Sequence, residues 1–167
     1  MRPTERIKEA QRVLEAEARA IFASSKKISL NFSKCIDLII DCKGTVVISG
    51  IGKSGNIGKK ITSTLASLGT PSIFLHTSDA FHGDLGILRR DDLLICISNS
   101  GETDELVRLL NYAKRNDIKS IAITGNVNST ISKEASISLN SSVESEACPL
   151  NLAPTCSTSV TMALGDA

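Results

Sequence analysis

The residues best suited to chemistry form a short polar segment in the middle of the chain. Residues 93–97 are apolar, residues 98–103 are small and mostly polar, and apolar residues recur at helical spacing from Leu106 onward. This pattern predicts a strand buried on both faces that passes through the polar segment into a helix. Hydroxyl groups and free backbone N–H groups at the positive end of a helix dipole form an anion site, so a phosphorylated ligand is the first hypothesis. The candidate ligand-contacting residues are Ser98, Asn99, Ser100 and Thr103.

Two residues of this segment have a structural alternative. Ser100 and Thr103 are residue types that often begin a helix, where the side-chain oxygen accepts a hydrogen bond from a backbone N–H group. Capping a helix needs only one such side chain. Other parts of the chain must therefore distinguish an anion site from a cap.

A glycine-rich segment, residues 50–55, follows a short β-branched stretch and precedes another helical repeat. Its G-x-G-x-x-G pattern also occurs in dinucleotide-binding folds, but such a site needs an acidic residue at the end of the next strand, where this chain has His76. The Walker pattern does not fit either, because valine stands at the position of its first glycine. The remaining interpretation is a turn that approaches a ligand closely and carries a lysine. Its candidate residues are Gly52, Lys53 and Ser54.

Apolar periodicity along the chain predicts alternating strands and helices. Two amphipathic helices, residues 4–23 and 32–41, come first, and we expect the apolar face of the first helix to pack. Strands joined by helical connections of about twenty residues pair in parallel with right-handed crossovers, which gives a three-layer α/β/α sandwich. The predicted strands are residues 45–48, 72–75, 93–97, 119–124 and 136–139, and the last has the alternation of an edge strand.

The predicted architecture is a single α/β domain over residues 1–167, with N-terminal helices in residues 1–43 and a five-stranded parallel core in residues 44–167. In a flavodoxin-like strand order, 2-1-3-4-5, strands one and three are neighbours. That order places residues 50–55 beside residues 98–103. Both segments then lie outside the carboxyl ends of the strands, where ligands of such folds bind.

Composition excludes several classes of partner. Nineteen basic and 18 acidic residues give a net charge of +1, so electrostatics do not favour nucleic acid or a membrane surface. The polar start of the chain and the lack of a long apolar run lead us to expect a cytoplasmic protein without a membrane segment. The five cysteines are an odd set without a Cys-x-x-Cys pair, so we expect reduced thiols rather than disulfides or a zinc site.

Four motifs in a fixed order carry a family resemblance. They read GIGKSG at residues 50–55, HGDLG at 82–86, ISNSGET at 97–103 and EACPLNLAPT at 146–155. Together they resemble the sugar isomerase (SIS) domain, and the branch they resemble most is that of the arabinose-5-phosphate isomerases. The resemblance covers nearly the whole chain. It implies the flavodoxin-like α/β/α sandwich, and an interconversion of D-ribulose 5-phosphate and D-arabinose 5-phosphate that needs no cofactor and feeds synthesis of the lipopolysaccharide sugar Kdo.

The resemblance also implies roles for individual residues. Ser98, Ser100 and Thr103 would hold the phosphate together with Ser54. Isomerisation moves a proton between C1 and C2 through a cis-enediol, so it needs a carboxylate base, a proton shuttle and a cation for the developing enediolate. The implied catalytic residues are Lys53 as the cation, Glu105 or Glu146 as the base, and His82 as a hydroxyl ligand or shuttle.

Three of these assignments have alternatives. Acidic residues are common in the first turn of a helix for dipole reasons alone, which gives Glu105 a structural interpretation. Glu144 lies close to Glu146, and only the EACPL context favours the second. His76, at a predicted strand end, is a candidate substrate ligand or a ligand of an inhibitory divalent ion; two histidines do not predict an organised metal site.

The chain also departs from the family pattern. Family members continue past Ala167 into a segment with a catalytic histidine in a His-Pro-Gly-Gly motif, and many carry two CBS domains. We therefore expect the isomerase domain alone, with its C-terminal part absent. The resemblance implies a homo-oligomer, a dimer or tetramer, to which the N-terminal helices contribute. The alternative function is a regulatory SIS module that binds a sugar phosphate without turnover.

Overall fold

The structure, a computed structural model, describes residues 2–167. Its strands are β1 (Val46–Gly50), β2 (Ser72–Phe74), β3 (Leu93–Ser98), β4 (Lys119–Thr124) and β5 (Ile137–Asn140). They form one parallel sheet in the order β2-β1-β3-β4-β5, which confirms the predicted topology. The helices are α1 (Pro3–Ser25), α2 (Leu30–Asp41), α3 (Gly52–Ser67), α4 (Thr77–Phe81), α5 (Asp104–Arg115), α6 (Thr130–Glu134) and α7 (Cys156–Asp166), with a 3₁₀ turn at Asp84–Ile87.

The core consists of two apolar layers, one on each face of the sheet. Every residue of β1 and β3 is buried, as expected for central strands covered by helices on both sides. Alternate side chains of β3 enter opposite layers: Leu94 and Cys96 pack with α5, whereas Leu93 and Ile95 pack with α2 and α3. This arrangement confirms the three-layer sandwich.

Strand register brings the two predicted loops to one edge of the sheet. Gly50, the last residue of β1, pairs with Ile97, and Ser98, the last residue of β3, pairs with Thr124. The loops after β1 and β3 therefore start side by side. A side chain at Gly55 would have its Cβ 2.7 Å from the Gly50 carbonyl oxygen, so only glycine lets α3 begin this close to β1.

One local prediction needs correction. The glycine-rich segment is not a six-residue turn, because α3 already begins at Gly52 (φ +58°) and Lys53 lies in its first turn. The polar stretch after β2, residues 76–86, contains only the five-residue helix α4 and the 3₁₀ turn. Glycines weaken helical propensity, but the buried Thr77 and Ala80 anchor α4 against the core.

The apolar face of α1 does not pack within the chain as expected. Ile7, Leu14 and Ile21 are 60%, 68% and 39% exposed. An adjacent face of α1 meets the C-terminal part of the chain, where Glu17 accepts a hydrogen bond from Ser159 of α7 at 2.7 Å. Periodicity identifies an apolar face of a helix but not the surface that covers it.

The state of the cysteines and the character of the helices were also predicted from the sequence. The five cysteines are free thiols, and Cys96 is fully buried in the core. Burial raises the pKa of the Cys35 thiol to about 11. Within residues 2–167, no helix combines the length and the apolar character needed to cross a bilayer.

Candidate active site

The segment between β3 and α5, residues 98–103, is called the hydroxyl loop here. The Ser98 hydroxyl lies 2.9 Å from the Thr103 hydroxyl and 3.4 Å from that of Ser100. It also accepts a hydrogen bond from the backbone N–H of Gly101 at 3.0 Å. Three hydroxyl groups are thereby gathered at the N-terminus of the twelve-residue helix α5, as the anion-site hypothesis requires.

The capping alternative fits this geometry poorly. Thr103 occupies the N-cap position of α5, but within residues 2–167 its side chain makes no capping hydrogen bond. Its hydroxyl pairs with Ser98 instead. The Ser100 hydroxyl accepts from the backbone N–H of Glu102 at 3.2 Å, which closes a local turn rather than the helix. Capping of α5 by either side chain is therefore wrong as an interpretation, and within residues 2–167 the N-cap side chain satisfies none of the amides at the start of that helix.

A cleft of about 250 Å³, called the central cleft here, opens beside this loop. It lies where the first turn of α3, the hydroxyl loop and the first turns of α7 meet. Lys53 and Ser54 enter it from α3 and Asn99 enters it from the hydroxyl loop. Three residues from the two predicted loops are thus brought together at the carboxyl edge of the sheet. The remaining lining residues are Ile51, Ile57, Pro154, Ser157, Thr158 and Thr161.

Lys53 stands between this cleft and a second one of about 380 Å³, called the His76 cleft. Gly52, Lys53 and His76 line it together with Lys59, whose ammonium lies 5.3 Å from the ring centroid of Phe74. His76 Nδ1 accepts a hydrogen bond from the Ser78 backbone N–H at 3.2 Å, which orients the ring. Among the described residues, the lining side chains carry positive but no negative charge, so this part of the site suits an anionic or electron-rich ligand group.

The Glu146 carboxylate is bound to the start of α7. Its Oε2 accepts hydrogen bonds from the Thr155 backbone N–H at 2.8 Å, the Thr155 hydroxyl at 3.0 Å and the Ser157 backbone N–H at 3.2 Å. Partial burial raises the pKa of Glu146, but the hydrogen bonds from Ser157 and Thr155 outweigh it and hold the pKa below its ordinary value. A raised pKa, which a base working near neutral pH needs, is thus absent from this carboxylate in the described structure.

Two predicted catalytic residues lie apart from both clefts. His82 follows the last residue of α4 and is exposed, and Glu105 lies exposed in the first turn of α5. Neither lines the central cleft or the His76 cleft. A single chain therefore unites Lys53, Ser54, Asn99 and His76 but does not bring His82 or Glu105 to them.

Sequence reasoning missed six residues of the central cleft, and four of them belong to α7 or lie just before it. Pro154, Ser157, Thr158 and Thr161 lie at or near the start of α7 and are spaced three to four residues apart along one helical face. The serine and threonine content of this segment was visible in the sequence. The helical spacing of these hydroxyl residues could have identified them, since hydroxyl residues at that spacing form a polar face of a helix. Lys59 was missed as well, because a lone lysine on an amphipathic helix resembles any solvated one.

Comparison with known proteins places this geometry in a family. A curated arabinose 5-phosphate isomerase, KdsD of Pseudomonas aeruginosa, is 50% identical over 161 residues, which cover 96% of this chain and 49% of that protein. KpsF of Escherichia coli O6:H1 is 49% identical over 162 residues, covering 96% of this chain and 50% of that protein. The chain thus spans about half the length of the curated relatives it matches.

Solved structures agree in fold. An Escherichia coli protein whose structure was determined in complex with arabinose 5-phosphate superposes with a TM-score of 0.95 at 38% identity, covering 99% of this chain and 88% of that one. The family model that matches is the SIS domain, over residues 38–167. That match includes both strands and both loops that form the central cleft. The chain belongs to the SIS domain family.

Proposed function

We propose that this chain is the isomerase domain of an arabinose-5-phosphate isomerase, interconverting D-ribulose 5-phosphate and D-arabinose 5-phosphate. The observation that carries the proposal is the central cleft, which Lys53, Ser54 and Asn99 line from two adjacent loops. The three clustered hydroxyls do not line the cleft themselves but lie in the same loop as Asn99. The similarity to curated isomerases and to a protein that binds arabinose 5-phosphate supports the choice of substrate. The product would feed Kdo synthesis, as the family resemblance implies.

In this proposal the hydroxyl loop holds the phosphate. Ser98, Ser100 and Thr103 donate hydrogen bonds to phosphate oxygens, and the amides at the start of α5 add partial positive charge. Ser54 contributes from the first turn of α3. The substrate is thereby fixed at its unreactive end, with its carbonyl end directed toward Lys53.

The reaction needs only proton transfers. A base removes a proton from C1 of the ketose while the C2 carbonyl oxygen gains one, and the cis-enediol then gains a proton at C2 and loses one from the C1 hydroxyl to give the aldose. Lys53 stabilises the negative charge that develops on the oxygens. Within residues 2–167 Lys53 forms no ion pair with a carboxylate, so its charge is available for this role.

The base remains a choice between two glutamates. Glu146 is near the central cleft through Thr155 and Ser157, but its hydrogen bonds make it a weak base. Glu105 is exposed and free of such hydrogen bonds within residues 2–167, yet it lies outside the cleft. We favour Glu105 for proton abstraction and assign Glu146 the support of α7, with His82 as the shuttle. This choice requires Glu105 or His82 to reach the site from elsewhere.

A homo-oligomer provides that route, and we propose a dimer or tetramer. The exposed apolar stripe of α1, called the α1 stripe here, supports it, since a contiguous exposed apolar surface marks an interface. Its members recur every seventh residue, as in helices that pack on one another. They are Ile7, Leu14 and Ile21. The free thiols of the chain favour a reducing compartment, and a cytoplasmic location is part of the proposal.

Supplying ribulose 5-phosphate and following arabinose 5-phosphate by NMR tests the function. Turnover supports the isomerase. A chain that gains thermal stability with arabinose 5-phosphate but shows no turnover would instead support the alternative, a sugar-phosphate-binding module. A chain that neither binds nor converts the sugar phosphate contradicts both.

A further inference from the structure

A carboxylate inside the hydroxyl loop is bound to another loop of the protein rather than directed at the cleft. Glu102 accepts a hydrogen bond from the Thr130 hydroxyl at 2.6 Å and one from the Thr130 backbone N–H at 2.9 Å. Thr130 is the first residue of α6, in the connection that follows β4. The carboxylate thus spans 28 residues of sequence to join two loops at the carboxyl edge of the sheet.

Two backbone hydrogen bonds join the same pair of loops. The Gly125 N–H donates to the Asn99 carbonyl at 3.1 Å, and the Ile131 N–H donates to the Gly101 carbonyl at 3.1 Å. Three consecutive parts of the hydroxyl loop, at its start, middle and end, are therefore tied to residues 125–131. Of these ties only the one through Glu102 uses a side chain, and it alone can be removed by substitution without changing the backbone.

The hydrogen bonds between Thr130 and Glu102, called the Glu102 tie here, restrain the segment that carries the proposed phosphate-binding residues. Glu102 lies between Gly101, whose N–H contacts the Ser98 hydroxyl, and Thr103, whose hydroxyl contacts the same oxygen. Fixing Glu102 therefore restricts the backbone on which the three hydroxyls are arranged. A loop that is ordered before the ligand arrives does not lose that freedom on binding, which raises affinity.

We propose that Glu102 is a positioning residue that, through Thr130, preorganises the hydroxyl loop for the phosphate of the substrate. The proposal rests on the function proposed above and adds a residue to which that function assigns no role. The hydrogen bonds from Thr130, first the hydroxyl and then the backbone N–H, hold the pKa of Glu102 below its ordinary value, with Lys133 adding to the effect. The carboxylate is thus charged at neutral pH and accepts both bonds.

The direction of the change in phosphate affinity tests the proposal, because the negative charge of Glu102 opposes its positioning role. A carboxylate close to a bound phosphate repels it, so removing the charge of Glu102 would strengthen phosphate binding if electrostatics dominated. Removing the tie would weaken binding if preorganisation dominated. We expect the second result, because the carboxylate is exposed to solvent that screens its charge, whereas the tie is short and double.

The experiment compares Glu102→Gln and Thr130→Val with the unaltered chain, measuring KM and kcat for ribulose 5-phosphate and the inhibition constant of inorganic phosphate. We expect KM and the phosphate inhibition constant to rise together by about fivefold for Glu102→Gln, with kcat within about twofold. Thr130→Val loses the hydroxyl donor and should move both constants in the same direction by less. Thr130→Ser keeps that donor and should restore values near those of the unaltered chain.

The matched control is Glu134→Gln on the same short helix α6, which breaks the ion pair with Lys114 but touches no part of the hydroxyl loop. It should leave KM unchanged. If Glu134→Gln raises KM as much as Glu102→Gln does, the effect is a general loosening of α6 and the proposal is overturned. An unchanged or lowered KM for Glu102→Gln overturns it as well. If Glu102→Gln does not fold, the difference between Thr130→Val and Thr130→Ser decides.

Failure of the proposed function gives a different pattern. If the unaltered chain neither converts ribulose 5-phosphate nor binds arabinose 5-phosphate in a calorimeter, the proposed function is refuted and this role of Glu102 with it. If the unaltered chain is active and Glu102→Gln has the same constants, only the role of Glu102 is refuted.

Discussion

Lys53 is the residue on which the proposed chemistry depends most. It lines both clefts, and no carboxylate within residues 2–167 neutralises it. Lys53→Met should lower kcat for ribulose 5-phosphate at least about a hundredfold, since a preorganised charge on the developing enediolate is lost. Affinity for inorganic phosphate should change little, because the hydroxyl loop remains intact. Steady-state kinetics with phosphate as inhibitor measures both quantities.

Lys59→Met tests whether the loss is specific to Lys53, since it removes the same charge from the same helix and should lower kcat much less. Lys59 is on the same helix and lines only the His76 cleft. A loss of phosphate affinity as large as the loss of turnover in Lys53→Met would contradict the assigned role. It would move Lys53 from the reacting end of the substrate to its phosphate.

Glu146 leads to a prediction about pH. Its pKa in the folded chain lies below its ordinary value of 4.5, so its stabilising hydrogen bonds are complete above that pH and are lost as the pH falls through the lower folded value. At pH 7 Glu146→Gln should therefore lower Tm, and the difference from the unaltered chain should shrink when both are measured near pH 3. Differential scanning calorimetry at the two pH values measures this. A difference that grows on acidification would contradict the capping role.

The pH dependence of turnover tests whether Glu146 is the base. If Glu146 were the base, the acidic limb of kcat/KM would lie below pH 4.5, because the base must be ionised. We expect an acidic limb that Glu146→Gln does not remove, because another group is the base. A limb below 4.5 that disappears in Glu146→Gln would return the role of base to Glu146.

At the level of elements, the path of the hydroxyl loop depends on one glycine. Gly101 has φ +71°, and a Cβ at this position would overlap the Ser129 side chain and lie 2.8 Å from the Thr124 hydroxyl. Gly101→Ala should lower the free energy of unfolding by about 1–3 kcal/mol and weaken phosphate binding, since strain and overlap both displace the loop. Denaturant unfolding and phosphate inhibition measure the two effects.

A second glycine makes a matched control for that substitution. Gly86 has ordinary backbone angles, and a Cβ there meets no atom of the described residues within 4 Å. Gly86→Ala should change stability by no more than about 0.5 kcal/mol. Equal losses in the two variants would mean that general glycine replacement, rather than the geometry of the hydroxyl loop, is responsible.

At the scale of the whole molecule, the α1 stripe is an apolar surface exposed to solvent. If the α1 stripe is an interface between chains, Leu14→Glu places a charge in it and removes burial worth about 1.5–3 kcal/mol per chain. The association constant should fall at least about tenfold, which sedimentation velocity over a range of concentrations measures. Lys8→Gln on the same helix is a control that should leave association unchanged. An unaltered chain that remains monomeric at tens of micromolar would contradict the proposed homo-oligomer.

Loss of assembly should also affect the site. His82 and Glu105 lie apart from the clefts of their own chain, so the proposal needs a second chain to bring such groups to Lys53. Leu14→Glu should therefore lower kcat in proportion to the fraction of dissociated chains, with activity partly regained at high protein concentration. Full activity in a monomeric Leu14→Glu variant would show that one chain contains a complete site.

The sequence by itself determined the strands, their parallel pairing and the position of the hydroxyl loop, and the family resemblance of its motifs implied the strand order. Runs such as residues 93–97 are apolar at every position, which only a strand covered on both faces requires, and parallel connections leave few possible orders. The motifs then indicated Ser98, Ser100 and Thr103, because their chemistry is local: neighbours in sequence at a strand end are neighbours in space.

Only the tertiary structure decided the remaining features of the site and the surface, because these features depend on contacts between distant parts of the chain. The face of α7 that lines the central cleft and the partner of the Glu146 carboxylate both follow from how the last helix packs. The hydrogen bonds from Thr130 to Glu102 join residues of two different crossovers, and the α1 stripe is exposed because a different face of α1 packs against the C-terminal part of the chain. Residue types and spacing report the local chain, whereas the protonation state and role of a side chain depend on neighbours that only folding supplies.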